Sequence, residues 1–599
     1  MSIPRSEHPR PQFFRPDWKS LNGEWDFKID AGDSGLHRGW ALDPAHIDAR
    51  ISVPFCPESR LSGIGETDFM KVVWYHREFE VPSEWKGRRV LLHFGAVDWS
   101  CRVWVNGNEV GQHRGGSASF RFDITEALGD ANHVVVRVED DVRSGLQPAG
   151  KQSLLHQSFA ASYTRTTGIW QSVWLEAAPT TRIDSVQILP DWPGGRFVII
   201  PRLLALDAPH TLRCTVSSAG REVAQVESIA SDGLPLVVDL STPRSWSPED
   251  PHLYDLHFEL RRGDENVDEV ESYAGLRQFS IEGDRFLLNG EPLFLRLILD
   301  QGFYPDGLWT APSDDALRAD IERAQALGFH GARLHQKVFE ERFHYWADRL
   351  GYLTWGEFPD WGLEGMNFFP PRKDTAHQER ALDNHLREWC EVVERDRNHP
   401  SIVLWTPFNE VNRRKGRERL YDRTIRKTYA LTKALDPTRP VHDASGWTHV
   451  ETDVYSVHDY EQDPTRFRAT YANGPCDVGA AREQFGGEPG ADYAGEPYVV
   501  DEYGGTWWKE GAEQDASWGY GERPKDAEEA LARIIALTSV LLENPRVAGF
   551  CYTQLTDIEQ EQNGLYTYAR ELKFDAERLR AAFTAPAAIE LHPREREKL

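Results

Sequence analysis

From about residue 281 onward, short apolar runs alternate with amphipathic stretches, and this alternation limits the fold more than any other feature. The first amphipathic stretch shows the helical pattern: Ser313 can cap it, Leu317 and Ile321 lie on one face, and Gly328 ends it. The predicted strands are 293–298, 329–334, 352–355, 402–410, 440–442, 454–457, 498–500 and 547–552. The predicted helices that separate them include 339–350, 376–396, 416–435 and 526–543. Strand–helix steps in this number predict a (β/α)8 TIM barrel at 281–599.

The part of the chain before residue 281 has a different pattern, in which short alternating strands follow one another without a convincing helix. Runs at 90–94 and 103–105 lead into Asn106-Gly107, a dipeptide typical of hairpin turns. Residues 1–180 are therefore predicted to form a jelly-roll-like β-sandwich. Residues 181–280 continue with strands at short spacing, which predicts an immunoglobulin-like β-sandwich.

Two of the predicted barrel strands end in a glutamate. One run closes on Glu410 and the other on Glu502. In a parallel barrel the carboxyl ends of the strands carry the chemistry, so these two carboxylates can be held close together. A pair of this kind is what the cleavage of a glycosidic bond requires. The structural alternative is two buried strand-end glutamates in ion pairs.

Charge and cysteine content limit the classes of macromolecule, membrane or metal that the chain is expected to bind. Lys and Arg number 68 against 95 Asp and Glu, a net charge of −27, so nucleic acid and anionic membrane surfaces are poor partners. The polar N-terminus lacks a secretory signal and no apolar run could span a bilayer, which predicts a cytoplasmic protein. No cofactor and no metal site is expected. The cysteines are scattered without metal-binding spacing, at Cys56, Cys101, Cys214, Cys390, Cys476 and Cys551.

A set of short motifs, in order along the chain, carries a family resemblance. They are Leu21-Asn22-Gly23-Glu24-Trp25, the Val103-Trp104-Val105-Asn106-Gly107 hairpin, Asp396-Arg397-Asn398-His399-Pro400-Ser401, Asn409-Glu410 and Glu502-Tyr503-Gly504. With three domains of suitable length, the sequence resembles glycoside hydrolase family 2, the group of β-galactosidases, β-glucuronidases and β-mannosidases. The resemblance covers essentially the whole chain.

The resemblance implies a role for five residues. Glu410 would be the general acid/base and Glu502 the nucleophile of a retaining, double-displacement hydrolase. Asn409 would bind the sugar 2-hydroxyl. Arg333 would lie beneath the nucleophile and keep it ionised, and Tyr460 would hydrogen-bond to it. For Arg333 and Tyr460 a plain structural role stays open, as does a capping role for Asn409.

Further candidate substrate contacts follow the other predicted strands, and a packing role is equally open for each. His458 falls where relatives often carry an asparagine. Asp501 neighbours the predicted nucleophile but should point to the opposite side of its strand. The remaining candidates are Asp300, Gln301, His335, Glu357, Trp447 and Trp507.

Departures from the family pattern bear on the substrate. The β-glucuronidases use an asparagine and a lysine two apart to hold the substrate carboxylate, whereas the matching region here, 559–566, is acidic and has no lysine. Asp300 could accept two hydroxyl hydrogen bonds. The sequence therefore favours exo-cleavage of a neutral terminal sugar, first galactose in pyranose or furanose form. Arabinosidase, β-glucuronidase and β-mannosidase activities remain alternatives, as does a non-catalytic carbohydrate-binding protein, and homo-oligomer formation stays open.

Overall fold

The computed structural model describes residues 3–364, 366, 374–472, 487–511 and 517–591. Cys476, one of the scattered cysteines, lies outside these residues. Five cysteines within them are free. In the same part of the chain no helix has the length and apolar character needed to cross a bilayer.

The N-terminal part is an antiparallel β-sandwich, as predicted. One sheet has the order β1-β12-β5-β9 and the other β3-β2-β4-β10-β7-β8, with β6 and β11 paired separately. Alternating apolar residues such as Val134, Val136 and Val138 face the core between the sheets. The strands are β1 Trp18–Ser20, β2 Gly23–Ile29, β3 Ala49–Val53, β4 Val72–Phe79, β5 Arg89–Phe94, β6 Val97–Asp98, β7 Ser100–Val105, β8 Asn108–Arg114, β9 Phe120–Asp123, β10 Asn132–Glu139, β11 Gly168–Ile169 and β12 Val173–Ala178.

A second, immunoglobulin-like sandwich follows, which also agrees with the prediction. Its sheets have the orders β13-β14-β17 and β16-β15-β18-β19, and their inner faces share a separate apolar core. The strands are β13 Arg182–Asp191, β14 Arg196–Leu204, β15 Thr211–Ser218, β16 Arg221–Ile229, β17 Leu236–Asp239, β18 Tyr254–Arg262 and β19 Glu265–Ala274.

The C-terminal part holds a curled parallel sheet of seven strands, in the order β26-β25-β24-β23-β29-β28-β27. A small antiparallel sheet, β20 Phe279–Glu282, β21 Arg285–Leu288 and β22 Glu291–Leu293, precedes it. The barrel strands are β23 Leu295–Asp300, β24 Gly331–Leu334, β25 Leu353–Glu357, β26 Ile402–Thr406, β27 Tyr455–Asp459, β28 Tyr498–Gly504 and β29 Val547–Thr553. The helices are α1 Asp314–Ala326, α2 Glu341–Leu350, α3 Thr375–Asp396, α4 Glu418–Leu435, α5 Pro464–Thr470, α6 Ala527–Leu542 and α7 Ala576–Phe583. Ser313 caps α1 as predicted, accepting a hydrogen bond from the Ala316 amide.

The prediction of a strand at 440–442 was wrong, because this segment does not form a regular strand. Val441 and Ser445 make isolated parallel bridges to Trp405 and Asn409, so the segment lies beside β26 without a continuous ladder. Pro440 has no amide hydrogen to donate, which removes one ladder bond at the start of the segment. The predicted strand 402–410 is also shorter than expected and ends at Thr406, just before Pro407.

A segment of the first sandwich lies over the mouth of the barrel. We refer to residues 149–163 as the overlying segment. The amides of Ala149 and Gly150 donate to the Trp361 and Pro359 carbonyls at 2.7 and 3.0 Å. Gly150 has φ +56°, and a Cβ there would stand 2.3 Å from the Gln336 carbonyl oxygen. Only glycine therefore allows this close approach of the two backbones.

Candidate active site

The two strand-end glutamates reach the same end of the barrel from different backbone settings. Glu502 lies within β28, close to its carboxyl end. Glu410 lies four residues beyond the end of β26, and its backbone has a left-handed φ of 50°. This conformation costs a non-glycine residue on the order of 1–3 kcal/mol and is typical of functional positions. A hydrogen bond of 2.8 Å from the Glu410 amide to the Ser445 carbonyl holds it.

The carboxylates of Glu410 and Glu502 lie close together. One oxygen of each, together with a ring nitrogen of His458, lies within 4.8 Å of the others. Retaining glycosidases hold their carboxyl groups about 5–5.5 Å apart, whereas inverting enzymes leave about 6.5–9.5 Å for a water molecule. The spacing in this chain is shorter than the inverting range and fits direct attack of a carboxylate on a sugar.

A buried hydrogen-bond network surrounds Glu502. The Arg333 guanidinium at the end of β24 donates from Nη1 to Glu502 Oε1 at 2.9 Å. It also donates to Glu357 Oε2 at 2.5 Å and to Asn409 Oδ1 at 2.6 Å. The Tyr460 hydroxyl donates to the second oxygen of Glu502. Both oxygens of this carboxylate are thus fixed by donors.

This network sets the charge of Glu502. Burial alone would raise the pKa of the carboxyl, but the charges of His458 and Arg333 lower it below its ordinary value. Glu502 is therefore ionised at neutral pH. An ionised, firmly oriented carboxylate is what an attack on an anomeric carbon needs.

His458, in β27, lies between the two glutamates. Its Nδ1 is 2.8 Å from Glu410 Oε1 and 3.4 Å from Glu502 Oε2. Its Nε2 is 2.7 Å from Ser445 Oγ, which donates to Asp501 Oδ2 at 2.6 Å. Burial acts to lower the pKa of His458, but the Glu502 and Asp501 carboxylates and the hydrogen bond to Glu410 raise it to about 10. His458 is therefore a cation at neutral pH.

Asp501 was expected to point away from the site. It does not line the cavity in front of the glutamates, but it reaches His458 from behind, with Oδ1 3.5 Å from Nε2. The cause is an irregular register of β28 against both neighbouring strands, next to His458 on one side and between Val500 and Tyr503 on the other. Strict alternation of side chains fails at such a bulge.

A cavity of about 530 Å³ opens in front of the two glutamates. The overlying segment forms one wall through Lys151 and residues 159–162, and the barrel forms the rest. The Lys151 ammonium lies 3.8 Å from the centre of the Trp361 ring and has no hydrogen-bond acceptor among the described residues. Glu561 also faces the cavity, and its oxygens accept hydrogen bonds from Tyr163 and Asn563.

The predicted site residues fall into three groups by position. Glu410, Glu502, Tyr460, His458, Gln301, His335 and Trp447 line the cavity. Asn409, Arg333 and Glu357 lie behind it and contact each other or the glutamates. Asp300 and Trp507 are not among the cavity-lining residues. Asp300 instead accepts a 2.9 Å hydrogen bond from the Gly302 amide, while Arg523 lies over the Trp507 ring.

Several cavity residues were not predicted from the sequence. Tyr520 stacks on Tyr460 with ring centres 3.4 Å apart, and Trp361 supports Lys151. Glu561 lies in the region 559–566, whose acidic charge was recognised in the sequence. Its place in the cavity wall was not predicted. Lys151 gave no signal, because it comes from a loop of another domain and its neighbours in sequence carry no barrel pattern.

Comparisons with known proteins agree with this architecture. The family model described as "Glycosyl hydrolases family 2, TIM barrel domain" matches residues 279–509. The family's sugar binding domain matches 65–179, and a third model, "Glycosyl hydrolases family 2", matches 206–277.

Individual relatives are similar over much of the chain. A β-glucuronidase of Paenibacillus borealis is 27% identical over 445 residues, covering 71% of this chain and 72% of that protein. A β-galactosidase of Thermoanaerobacter pseudethanolicus is 28% identical over 365 residues, 57% of this chain and 45% of that protein. The structure of a β-glucuronidase from Ruminococcus gnavus in complex with D-glucuronic acid has a TM-score of 0.78 at 19% identity, covering 97% of this chain and 100% of that one.

Two sandwiches followed by a parallel barrel, with these family matches, define a glycosidase that hydrolyses O-glycosyl bonds. The chain belongs to glycoside hydrolase family 2.

Proposed function

We propose that this chain is a retaining exo-glycosidase in which Glu502 is the nucleophile and Glu410 the general acid/base. The observation that carries the proposal is the approach of the two carboxylates to within 4.8 Å at one cavity. In the first step Glu502 attacks the anomeric carbon while Glu410 gives its proton to the leaving oxygen. In the second step Glu410 takes a proton from water, whose oxygen displaces Glu502 from the sugar.

The surroundings of the two glutamates support this division of roles. Arg333 and Tyr460 both donate to Glu502, which keeps it ionised and oriented. Within the described residues, neither makes a hydrogen bond to Glu410. The Glu410 side chain is also more exposed, 13% against 6% for Glu502. An acid/base must alternate between protonated and ionised forms, so a less strongly fixed, more accessible carboxyl suits that role.

Asn409 supports the same interpretation from behind the cavity. Arg333 fixes its amide oxygen at 2.6 Å, and its buried Nδ2 has no partner among the described residues. An amide donor held in this way can bind a sugar hydroxyl next to the reacting carbon. Hydrogen bonds to the 2-hydroxyl strengthen in the transition state of glycoside cleavage.

The substrate we propose is a neutral terminal sugar, with galactose in pyranose or furanose form first and arabinose second. With Glu410 protonated for the first step, the carboxylates of Asp459, Glu502 and Glu561 line the cavity against the cations Lys151 and His458. An anionic sugar would meet net repulsion there. The wall formed by the overlying segment supports exo-action, because it restricts the room for a continuing chain.

A β-glucuronidase activity is the second candidate. One observation favours it: the Lys151 ammonium faces the cavity and could pair with a uronate carboxylate. The β-glucuronidases among the relatives point the same way.

A panel of aryl glycosides tests both candidates. The panel contains β-galactopyranoside, β-galactofuranoside, α-arabinofuranoside, β-mannoside and β-glucuronide, and each is assayed with the wild type and with Glu502→Gln. We expect turnover of a neutral glycoside with retention of anomeric configuration, and its loss in Glu502→Gln. Turnover of the glucuronide alone would replace the first candidate by the second. Sugar binding without turnover of any glycoside would instead indicate a carbohydrate-binding protein.

A further inference from the structure

Among the residues that the structure describes, His458 is the only cation within ion-pair distance of both glutamates. Its Nδ1 is 2.8 Å from Glu410 and 3.4 Å from Glu502. Arg333 forms an ion pair with Glu502, but no ion pair between Arg333 and Glu410 occurs in the described part of the chain. A positive charge placed between the two carboxylates therefore comes from His458.

Hydrogen bonds on the Nε2 side of His458 fix the protonation of its ring. The Ser445 hydroxyl has a single proton, which it donates to Asp501 Oδ2 at 2.6 Å. The Ser445 oxygen must then accept from His458 Nε2, 2.7 Å away. With Nε2 protonated, Nδ1 needs a proton of its own to face the ionised Glu502, whose Oε2 is 3.4 Å away. Both conditions hold when the ring is an imidazolium.

The double displacement proposed above moves one negative charge between the two glutamates. Before the first step Glu502 is ionised and Glu410 carries a proton. When the bond from the anomeric carbon to the leaving oxygen breaks, the Glu410 proton goes to that oxygen and Glu502 becomes an ester. The negative charge now lies on Glu410. In the second step water gives its proton to Glu410 and its oxygen to the sugar, and Glu502 becomes ionised again.

We propose that His458 is a positioning residue that serves as the shared counter-ion for this moving charge, keeping both of its protons throughout the cycle. The proposal rests on the proposed function, because it needs Glu410 and Glu502 in the two stated roles. Arg333 cannot replace His458, since it would remain beside a neutral ester after the first step. A neutral side chain at this position could hydrogen-bond to one glutamate but would supply no charge.

Several other charged or titratable groups lie around His458. Glu410 approaches from the loop after β26, Glu502 and Asp501 from β28, and Arg333 and His335 from the end of β24. Tyr460 comes directly after the end of β27 and donates to Glu502. Burial and the nearby cations Lys151 and Arg333 keep the pKa of His335 well below its ordinary value, so it adds no charge. The raised pKa of His458, about 10, agrees with a permanent imidazolium below that pH.

The test is the pH profile of kcat/KM for His458→Asn and His458→Gln. The acidic limb reports the ionisation of Glu502. The charge of His458 helps to lower the pKa of Glu502, so removing it should move the acidic limb upward by about one pH unit or more. The value of kcat should fall on the order of tenfold to a hundredfold. An acidic limb that stays in place while kcat falls would show a merely structural role and overturn the proposal.

A control variant and two further measurements separate this proposal from folding defects. His257, 40% exposed in the second sandwich, provides the matched control: His257→Asn should leave the profile unchanged. Ser445→Ala removes the acceptor of Nε2 and should depress activity at alkaline pH first, because His458 then loses its proton more readily. Nitrogen NMR of the wild-type imidazole should show both nitrogens protonated at pH 8, with and without a trapped fluoro-sugar on Glu502. A neutral ring in either state would overturn the proposal.

Failure of the proposed function gives a different result. If Glu502→Gln kept near-normal turnover, or if no fluoro-sugar attached to Glu502, the assignment of the nucleophile would be wrong and the charge transfer with it. If Glu502 proves essential and the acidic limb does not move in His458→Asn, only the role of His458 is wrong.

Discussion

Arg333 Nη1 lies 2.9 Å from Glu502 Oε1, and both side chains are almost completely buried. The same guanidinium binds Glu357, so one cation forms ion pairs with two carboxylates inside the barrel. A buried charge left without its partner destabilises the fold, so replacing Arg333 should lower stability as well as change the ionisation of Glu502.

Arg333→Met is expected to affect both properties. Without the guanidinium the pKa of Glu502 rises, so the acidic limb of kcat/KM should move to higher pH. The lowered pKa of Glu502 contributes stability that is present above its ordinary pKa and lost as the pH falls. The variant loses this contribution, and breaking a buried pair costs about 3–5 kcal/mol. Melting temperatures at pH 5 and 7 and the pH profile measure both effects. Arg333→Lys, which keeps a charge, should shift the limb less.

Glu410→Ala should discriminate between leaving groups. A poor leaving group needs a proton in the first step, so alkyl glycosides should lose about 10²- to 10⁴-fold in kcat/KM. The nitrophenolate group leaves without being protonated, so nitrophenyl glycosides should lose much less of their kcat/KM in this step. Glu126, 86% exposed, offers the control Glu126→Ala, which should alter neither. Equal losses for both classes of substrate would argue against Glu410 as the acid.

Lys151→Met tests how the cavity holds its sugar. The ammonium faces the cavity without an acceptor among the described residues, so a substrate hydroxyl can take its hydrogen bond. Losing a hydrogen bond to a charged group costs about 1.5–3 kcal/mol, or roughly tenfold or more in kcat/KM. The loss should appear mainly in KM. A much larger loss on a glucuronide than on a galactoside would favour the second candidate. Lys71→Met, at a side chain 60% exposed, is the control.

Gly150→Ala tests the contact between the first sandwich and the barrel. Its new Cβ would stand 2.3 Å from the Gln336 carbonyl oxygen, so the overlying segment must move. We expect a higher KM together with a lower melting temperature. Gly220 has the same left-handed backbone, with φ +73°, but nothing within 4 Å of an added Cβ. Gly220→Ala therefore measures backbone strain alone and should leave KM unchanged. Equal KM values in the two variants would show that the segment does not shape the cavity.

The sequence predicted most of the fold because its strands and helices are local patterns. The α1 helix begins after Ser313 as its cap predicted, and the strands that carry Arg333 and Glu502 lie where apolar runs placed them. The predicted 440–442 strand failed because an apolar run does not show whether a ladder forms. Pro440 lacks an amide hydrogen, and the segment makes only bridges to its neighbour.

The site was less predictable, since it depends on contacts between distant parts of the chain. The Glu410 backbone turns left-handed beyond its strand, which an apolar run cannot indicate. The bulge that brings Asp501 behind His458 breaks the alternation on which its predicted direction rested. Lys151 and Tyr163 belong to the first sandwich, and only the packing of that sandwich on the barrel brings them to the cavity.

The wall that residues 149–163 build over the barrel places part of the cavity on a different domain from the two glutamates. In the proposed mechanism the arginine and the nucleophile lie on the barrel strands β24 and β28, and the acid lies just beyond the end of β26. Part of the wall that an entering glycoside would meet, Lys151 and residues 159–162, belongs to the first sandwich. Exchanging this short stretch between homologues could therefore redirect the enzyme to another sugar while its reaction mechanism is inherited unchanged.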